Sequence, residues 1–134
     1  MKYVIILMLV LFAFSGCTQV QQEEQATVTF QVRDVEANLV FEKEITSIKG
    51  ASAFEVLQTN NIPMETDDFG FGVFIKSIAG VTPEENQYLG LNVNGEYSMV
   101  GISDIKLEDG MIIDFSVEEI DESQIFEEPQ EEAS

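Results

Sequence analysis

Val28, Phe30 and Val32 alternate with Thr27, Thr29, Gln31 and Arg33. A period of two predicts a strand with one buried face. Leu39, Phe41 and Ile45 keep one parity while Glu42 and Glu44 keep the other, which predicts a second strand across a connection at Asp34 to Asn38. Gly50 breaks the alternation. Ser52 with Glu55 three places on fits a capping box. Ala53, Phe54, Val56 and Leu57 then follow at helical spacing, so a short helix is expected to about Asn60, ended by Asn61 and Pro63. Phe69-Gly70-Phe71-Gly72 leads into a third strand, Val73 to Ala79, stopped at Gly80. Tyr88 to Val93 and Glu96 to Val100 flank Asn94-Gly95, the strongest short hairpin signal, because a type I′ turn needs two residues at positive φ. After the turn at Leu107 to Gly110, Met111, Ile113, Phe115 and Val117 alternate with Asp114, Ser116 and Glu118 as a last strand. This order predicts an α+β fold, a β-grasp-like mixed sheet with one short helix packed on one face.

The two ends carry different patterns. Lys2 precedes an apolar run from Tyr3 to Phe14, closed by Ser15-Gly16-Cys17. A positive start, a short apolar stretch and small residues at its end read as a secretory signal peptide over residues 1–16. The run falls short of the roughly 20 apolar residues a membrane span needs. Ser-Gly-Cys resembles the lipobox of bacterial-type lipoproteins, and that resemblance implies lipidation of Cys17. Residues 17–25 are polar and aperiodic, a tether. Residues 26–120 form the single globular domain, and residues 121–134 read as an acidic disordered tail. The chain is thereby expected outside the cytoplasm, lipid-anchored to the cell membrane. The lipoprotein resemblance also implies that Thr18 after the cysteine, rather than Asp, favours the outer membrane if the source has one.

Charge and composition remove whole classes of function. The 134 residues hold 25 acidic against 6 basic side chains, a net charge of −19, and five of the six basic residues lie beyond Cys17. Such a surface repels nucleic acid and anionic headgroups, so no nucleic-acid partner is expected and lipid must do the anchoring. Cys17 is the only cysteine, so stability comes from packing rather than from a disulfide within the chain. There is no histidine, which removes Ser-His-Asp and Cys-His nucleophile systems and the usual zinc sets. No catalytic constellation is visible, and the chain is not expected to be an enzyme.

Hairpin geometry proposes one face as a site. With a two-residue loop at Asn94-Gly95, Val93 faces Glu96 and Asn92 faces Tyr97. Leu89, Leu91, Val93 and Val100 then share the core side. Tyr88, Gly90, Asn92, Tyr97 and Met99 share the other, where Gly90 leaves a gap between aromatic neighbours suited to a planar, partly polar ligand or a partner protein. The plainer reading is that these residues only shield the second face of the sheet. Phe69 to Gly72 is a second candidate, as a mobile flap or, more simply, a strand lead-in or bulge. Glu65, Asp67 and Asp68 lack calcium-loop spacing and read as a solvated loop, and no metal site is expected. Asp104, Asp109 and Asp114 are the carboxylates available for acid–base work, but turn chemistry accounts for Asp109 and alternation places Asp114 towards solvent.

Four pieces together resemble the transcobalamin-like C-terminal domain family, a domain of unknown function in many proteins, over roughly Val40 to Val117. They are Gly50-Ala51-Ser52-Ala53-Phe54-Glu55-Val56-Leu57, Phe74 to Gly80, Tyr88 to Gly95, and Gly101-Ile102-Ser103-Asp104 followed by Asp109-Gly110. Gly50, Gly80, Asn94, Gly95, Gly101, Asp109 and Gly110 are the expected turn positions. The resemblance implies a binding module with a corrinoid such as cobalamin as ligand and no resident cofactor. It also implies that the strand at Tyr88 to Leu91 lies near the ligand. The large helical domain of the cobalamin carriers is not represented in this chain. The reading is a lipid-anchored extracytoplasmic binding or interaction domain with a corrinoid or protein partner. The alternatives are a small carboxylate-based cell-surface hydrolase and a purely structural cell-envelope protein.

Overall fold

The computed structural model describes Gly16 and residues 22–121. Cys17, the rest of the signal segment, tether residues 17–21 and tail residues 122–134 lie outside the described residues. The order of elements is β1 (Gln25–Arg33), β2 (Leu39–Ile48), α1 (Ala53–Thr59), β3 (Met64–Asp68), β4 (Val73–Ile78), β5 (Gln87–Val93), β6 (Glu96–Tyr97), a 3-10 turn (Ile102–Asp104) and β7 (Ile112–Glu119). The main sheet runs β2-β1-β7-β5-β6, and β3 pairs with β4 in a separate two-stranded sheet. β1 and β7 are parallel, whereas β1–β2, β5–β7 and β5–β6 are antiparallel. The fold is a mixed α+β arrangement with one short helix.

The core follows from the alternation. Ala26, Val28, Phe30 and Val32 of β1 and Ile113, Phe115 and Val117 of β7 are buried on one face of the sheet. Ala53, Val56 and Leu57 of α1 belong to the same cluster, as do Ile102, Ile105 and Leu107 around the 3-10 turn. β2 is an edge strand, and of its side chains only Ile45 is buried. Exposed Glu42, Lys43 and Glu44 on it discourage pairing with another chain.

Asn94 and Gly95 both adopt positive φ, 51° and 82°, as the hairpin requires. The register is the expected one, Val93 opposite Glu96 and Asn92 opposite Tyr97. Gly50, Gly80 and Gly110 also lie at positive φ in turns. The Asp109 carboxylate accepts from the Thr27 amide at 2.9 Å, tying that turn to the start of β1. Gly101 opens the 3-10 turn with an ordinary φ of −71°, its carbonyl accepting from the Asp104 amide at 3.0 Å.

Three local expectations are corrected. Residues 64–68 form a strand rather than a loop, and Phe69 to Gly72 is the turn of the β3–β4 hairpin, closed by Phe69 N–H to the Gly72 carbonyl at 3.1 Å. Acidic side chains at Glu65, Asp67 and Asp68 hide β3 from any alternation test. The capping box does not form. Ser52 is the residue before α1, but its hydroxyl donates to the Ser103 carbonyl at 3.0 Å instead of capping the helix. Finally, β6 ends at Tyr97, because Ser98 turns the chain away by donating to the Val100 carbonyl at 2.8 Å. Val100 therefore does not reach the core and is half exposed.

Candidate ligand site

The outer face of the sheet carries the residues singled out by hairpin geometry. Tyr88 pairs with Glu118, Gly90 with Ser116 and Asn92 with Asp114 across β5 and β7. The Tyr88 hydroxyl donates to the Glu118 carboxylate at 2.6 Å. That bond, helped by burial and by the carboxylate charge, pushes the Tyr88 pKa up to about 12. The Glu118 carboxylate also lies over Gly90, where an added Cβ would sit 2.8 Å from its Oε2 and 2.9 Å from its Cδ. The gap expected at Gly90 is thus filled from β7. Asn92 Nδ2 reaches Ser116 Oγ at a long 3.4 Å. Arg33 Nε meets Asp114 Oδ2 at 3.0 Å, while Asp114 Oδ1 is buried without a partner. Asp114 is therefore on the outer face as alternation requires, but half-buried and ion-paired rather than free in solvent. These side chains mostly satisfy one another, and the concavity beside them, about 460 Å³, is lined by Asp34, Val35, Ala37, Ser116, Val117, Glu118 and Glu119, three of them carboxylates.

The opposite face differs. An apolar cleft of about 170 Å³ opens between the β3–β4 hairpin and the end of the β5–β6 hairpin. Its floor is Leu89 and Leu91 of β5 with Phe115 of β7, and one wall is Val73, Phe74 and Ile75 of β4. The other wall is Tyr97, Ser98, Val100, Gly101 and Ile102.

The segments that continue these walls along the chain carry exposed apolar side chains. On one side Phe69 and Phe71 stack at the hairpin tip, their ring centroids 6.0 Å apart. Phe71 is 89% exposed. On the other side Met99 is 91% and Tyr97 62% exposed. Residues 69–75 and 97–103 contain no charged side chain, in a chain where 23% of residues are charged. Two uncharged apolar rims beside an apolar cleft are what a binding surface for an uncharged ligand requires. Of the five residues expected at the site, Tyr97 borders this cleft, but it pairs with Asn92 and its phenol acts on that of Tyr88, so its side chain belongs to the outer face, and Met99 only follows the lining residue Ser98. Tyr88, Gly90 and Asn92 are on the outer face. The alternation of the hairpin could not locate the cleft, because Val73, Phe74 and Ile75 come from β4. The charge-free runs at residues 69–75 and 97–103 are its local signals.

No carboxylate lines the cleft. Asp67 instead approaches Lys76 Nζ at 3.7 Å, and the Asp68 carboxylate accepts from the Gly70 amide at 2.8 Å. Among the described residues no group of three or more Cys, Asp or Glu side chains converges to hold a metal ion. Among them, too, no helix is long and apolar enough to cross a membrane.

A family profile described as a domain of unknown function, DUF4430, matches residues 50–119. The chain belongs to the DUF4430 family. No curated protein matches this DUF4430 chain. Among solved structures it is similar to haptocorrin in complex with Cbi, with a TM-score of 0.63 and 16% identity over 73% of this chain and 26% of that one. It therefore spans about a quarter of the haptocorrin chain. It is also similar to a protein of Ruminococcus gnavus ATCC 29149 provisionally described as metal binding, with a TM-score of 0.56 and 18% identity over 70% of this chain and 97% of that one. At these identities the likeness is one of fold. It agrees with the transcobalamin-like C-terminal resemblance drawn from Gly50 to Gly110.

Proposed function

We propose that this DUF4430 domain is a non-enzymatic, lipid-anchored extracytoplasmic binding module that takes one face of a corrinoid against the cleft between residues 69–75 and 97–103. The single observation that carries the reading is this apolar, charge-free cleft, with Phe71 and Met99 almost wholly exposed a residue or two along the chain from its lining residues Val73 and Ser98. Large apolar side chains left exposed on both sides of a concavity favour a ligand or partner that covers them. The fold shared with haptocorrin, solved in complex with Cbi, supports the choice of ligand class. The sheet order β2-β1-β7-β5-β6 with β1 and β7 parallel supports the β-grasp-like description.

The anchoring half of the proposal rests on the sequence of residues 1–17. In this reading residues 1–16 are the signal peptide, Cys17 carries lipid, residues 17–25 are the tether, residues 26–120 bind and residues 121–134 keep the protein solvated. The cleft side is preferred to the outer face because Glu118 already fills the space beside Gly90. A lone domain covers one side of a macrocycle, so affinity is weak unless a protein partner covers the rest. Calorimetric titration of the chain from Thr18 onward with cobalamin and cobinamide tests the proposal. The buried core lies wholly within Ala26 to Val117, so that fragment retains all of it.

A further inference from the structure

β5 has a neighbour along only part of its second edge. On the β7 side its bonded pairs run through Asn92, Gly90 and Tyr88, in step with Asn94 N–H to the Ile112 carbonyl and Ile120 N–H to the Asn86 carbonyl, both 2.8 Å. Antiparallel bonding alternates, so the backbone groups of Leu89 and Leu91 point the other way, to the side of β6. β6 pairs only with Asn92 and Val93, and Ser98 N–H to the Leu91 carbonyl at 2.8 Å is the last bond on that side. The Leu89 N–H and C=O make no hydrogen bond among the described residues. Open edges are usually guarded by charge. β2, at the other edge of the sheet, carries Glu42, Lys43 and Glu44, whereas Gln87 to Leu91 carries none. The apolar cleft opens beside that unguarded stretch, against Leu89 and Leu91. We propose that a segment of this chain's own C-terminal tail, residues 124–127, adds to the edge as a further strand and places Phe126 in the cleft.

The tail sequence suits the place. From Glu122 to Ser134 it has two large apolar residues, Ile125 and Phe126, bounded by Asp121 and Glu122 before them and by Glu127 and Glu128 after. Pro129 then stops any ladder, having no N–H to give. Neighbouring residues of a strand face opposite ways, so Phe126 in the cleft sets Ile125 on the outer face. A cavity of about 150 Å³ lined by Leu, Ile and Phe holds one benzene ring, and at about 170 Å³ this cleft takes one phenyl side chain. The reach also closes. Ile120 is bonded beside Asn86, at the head of the same edge, and Phe126 is six residues on, an extended reach of about 20 Å. Crossing β5 takes two strand spacings, about 10 Å, and descending from Asn86 to Leu89 takes about 10 Å more. So short a link holds the segment at a roughly millimolar effective concentration. A second copy brings the same net charge of −19 and is repelled. The tail thereby closes the cleft when no ligand does. The contact itself stands on the edge and the reach, and only its competition with a ligand rests on the corrinoid reading.

Amide exchange and methyl NMR of the chain from Thr18 onward, compared with its Phe126→Ser variant, are the test. The buried core lies within Ala26 to Val117, so the variant keeps the fold. The Leu89 amide should exchange roughly tenfold faster in Phe126→Ser, while the Gly90 amide, facing β7, stays as protected as before. The methyls of Ile75, Leu89 and Leu91 should shift between the two chains. A peptide of residues 121–128, added to Phe126→Ser at roughly millimolar concentration, should restore both signals. Identical Leu89 exchange and identical methyl shifts in the two chains would overturn the proposal. So would protection that rises with protein concentration, which would put the tail on a second copy. Cobalamin separates the tail contact from the corrinoid reading. Phe126-dependent signals with no cobalamin heat in either chain keep the tail contact and remove the corrinoid. Equal cobalamin heat in both chains, without Phe126-dependent signals, keeps the corrinoid and removes the tail contact. Where both hold, cobalamin should bind Phe126→Ser several-fold more tightly than the wild type.

Discussion

The Tyr88 hydroxyl and the Glu118 carboxylate meet at 2.6 Å across β5 and β7, and the carboxylate lies over Gly90, the one residue of β5 without a side chain. The pair closes the outer face of the sheet. It also fixes the titration of Tyr88, since ionising the phenol would place two anions in contact.

Tyr88 should therefore ionise near pH 12 in an ultraviolet pH titration, above its ordinary value of 10. The folded value is raised, so the stabilisation is complete below pH 10 and lost as pH climbs from 10 through 12. Tyr88→Phe should cost about 1 kcal/mol at pH 7, the size of one partly exposed hydrogen bond to a charged group after solvent screening.

Gly90→Ala should fold, because only the flexible end of Glu118 must move. It should loosen the Tyr88–Glu118 bond and bring the Tyr88 titration back towards 10. A Tyr88 titration unchanged in Gly90→Ala would contradict the contact.

Urea denaturation of Ser52→Ala and Glu55→Ala separates a real cap from an apparent one. Ser52 is buried and its hydroxyl holds the Ser103 carbonyl, so its loss should cost about 1–2 kcal/mol. Glu55 makes no capping contact, and its replacement should change stability by less than about 0.5 kcal/mol. A Glu55 cost equal to that of Ser52 would restore the capping box.

How much of this was legible varies with how locally each feature is encoded. β1 and β7 could be read because each buries one face fully, so Val28 to Val32 and Ile113 to Val117 alternate cleanly. The β5–β6 turn could be read because Asn94-Gly95 is a local solution to positive φ. β3 could not, since Met64 is its only apolar residue and the strand lies in a small separate sheet. The true partner of Ser52 is 51 residues away, and no nearby pattern records it. The filling of the Gly90 gap requires the β5–β7 register, which hairpin geometry at Asn94-Gly95 does not supply. Alternation through Met99 and Val100 failed because the chain leaves the sheet at Ser98.

Replacing Cys17 by Ser should move the protein from the detergent phase to the aqueous phase in a detergent-partition experiment, because the tether after it is polar and no basic patch would hold it to lipid. A Cys17→Ser variant that partitions like the wild type would contradict the lipid anchor.

Calorimetric titration of the chain from Thr18 onward with cobalamin is the most direct test of the binding proposal. A saturable heat is predicted in the micromolar-to-millimolar range, weakened roughly tenfold by Phe74→Ala or Met99→Ala, as for anchors beside a site, and unchanged by Tyr88→Phe. No heat across that range, or a heat lost in Tyr88→Phe but kept in Phe74→Ala and Met99→Ala, would contradict a corrinoid seated on the cleft.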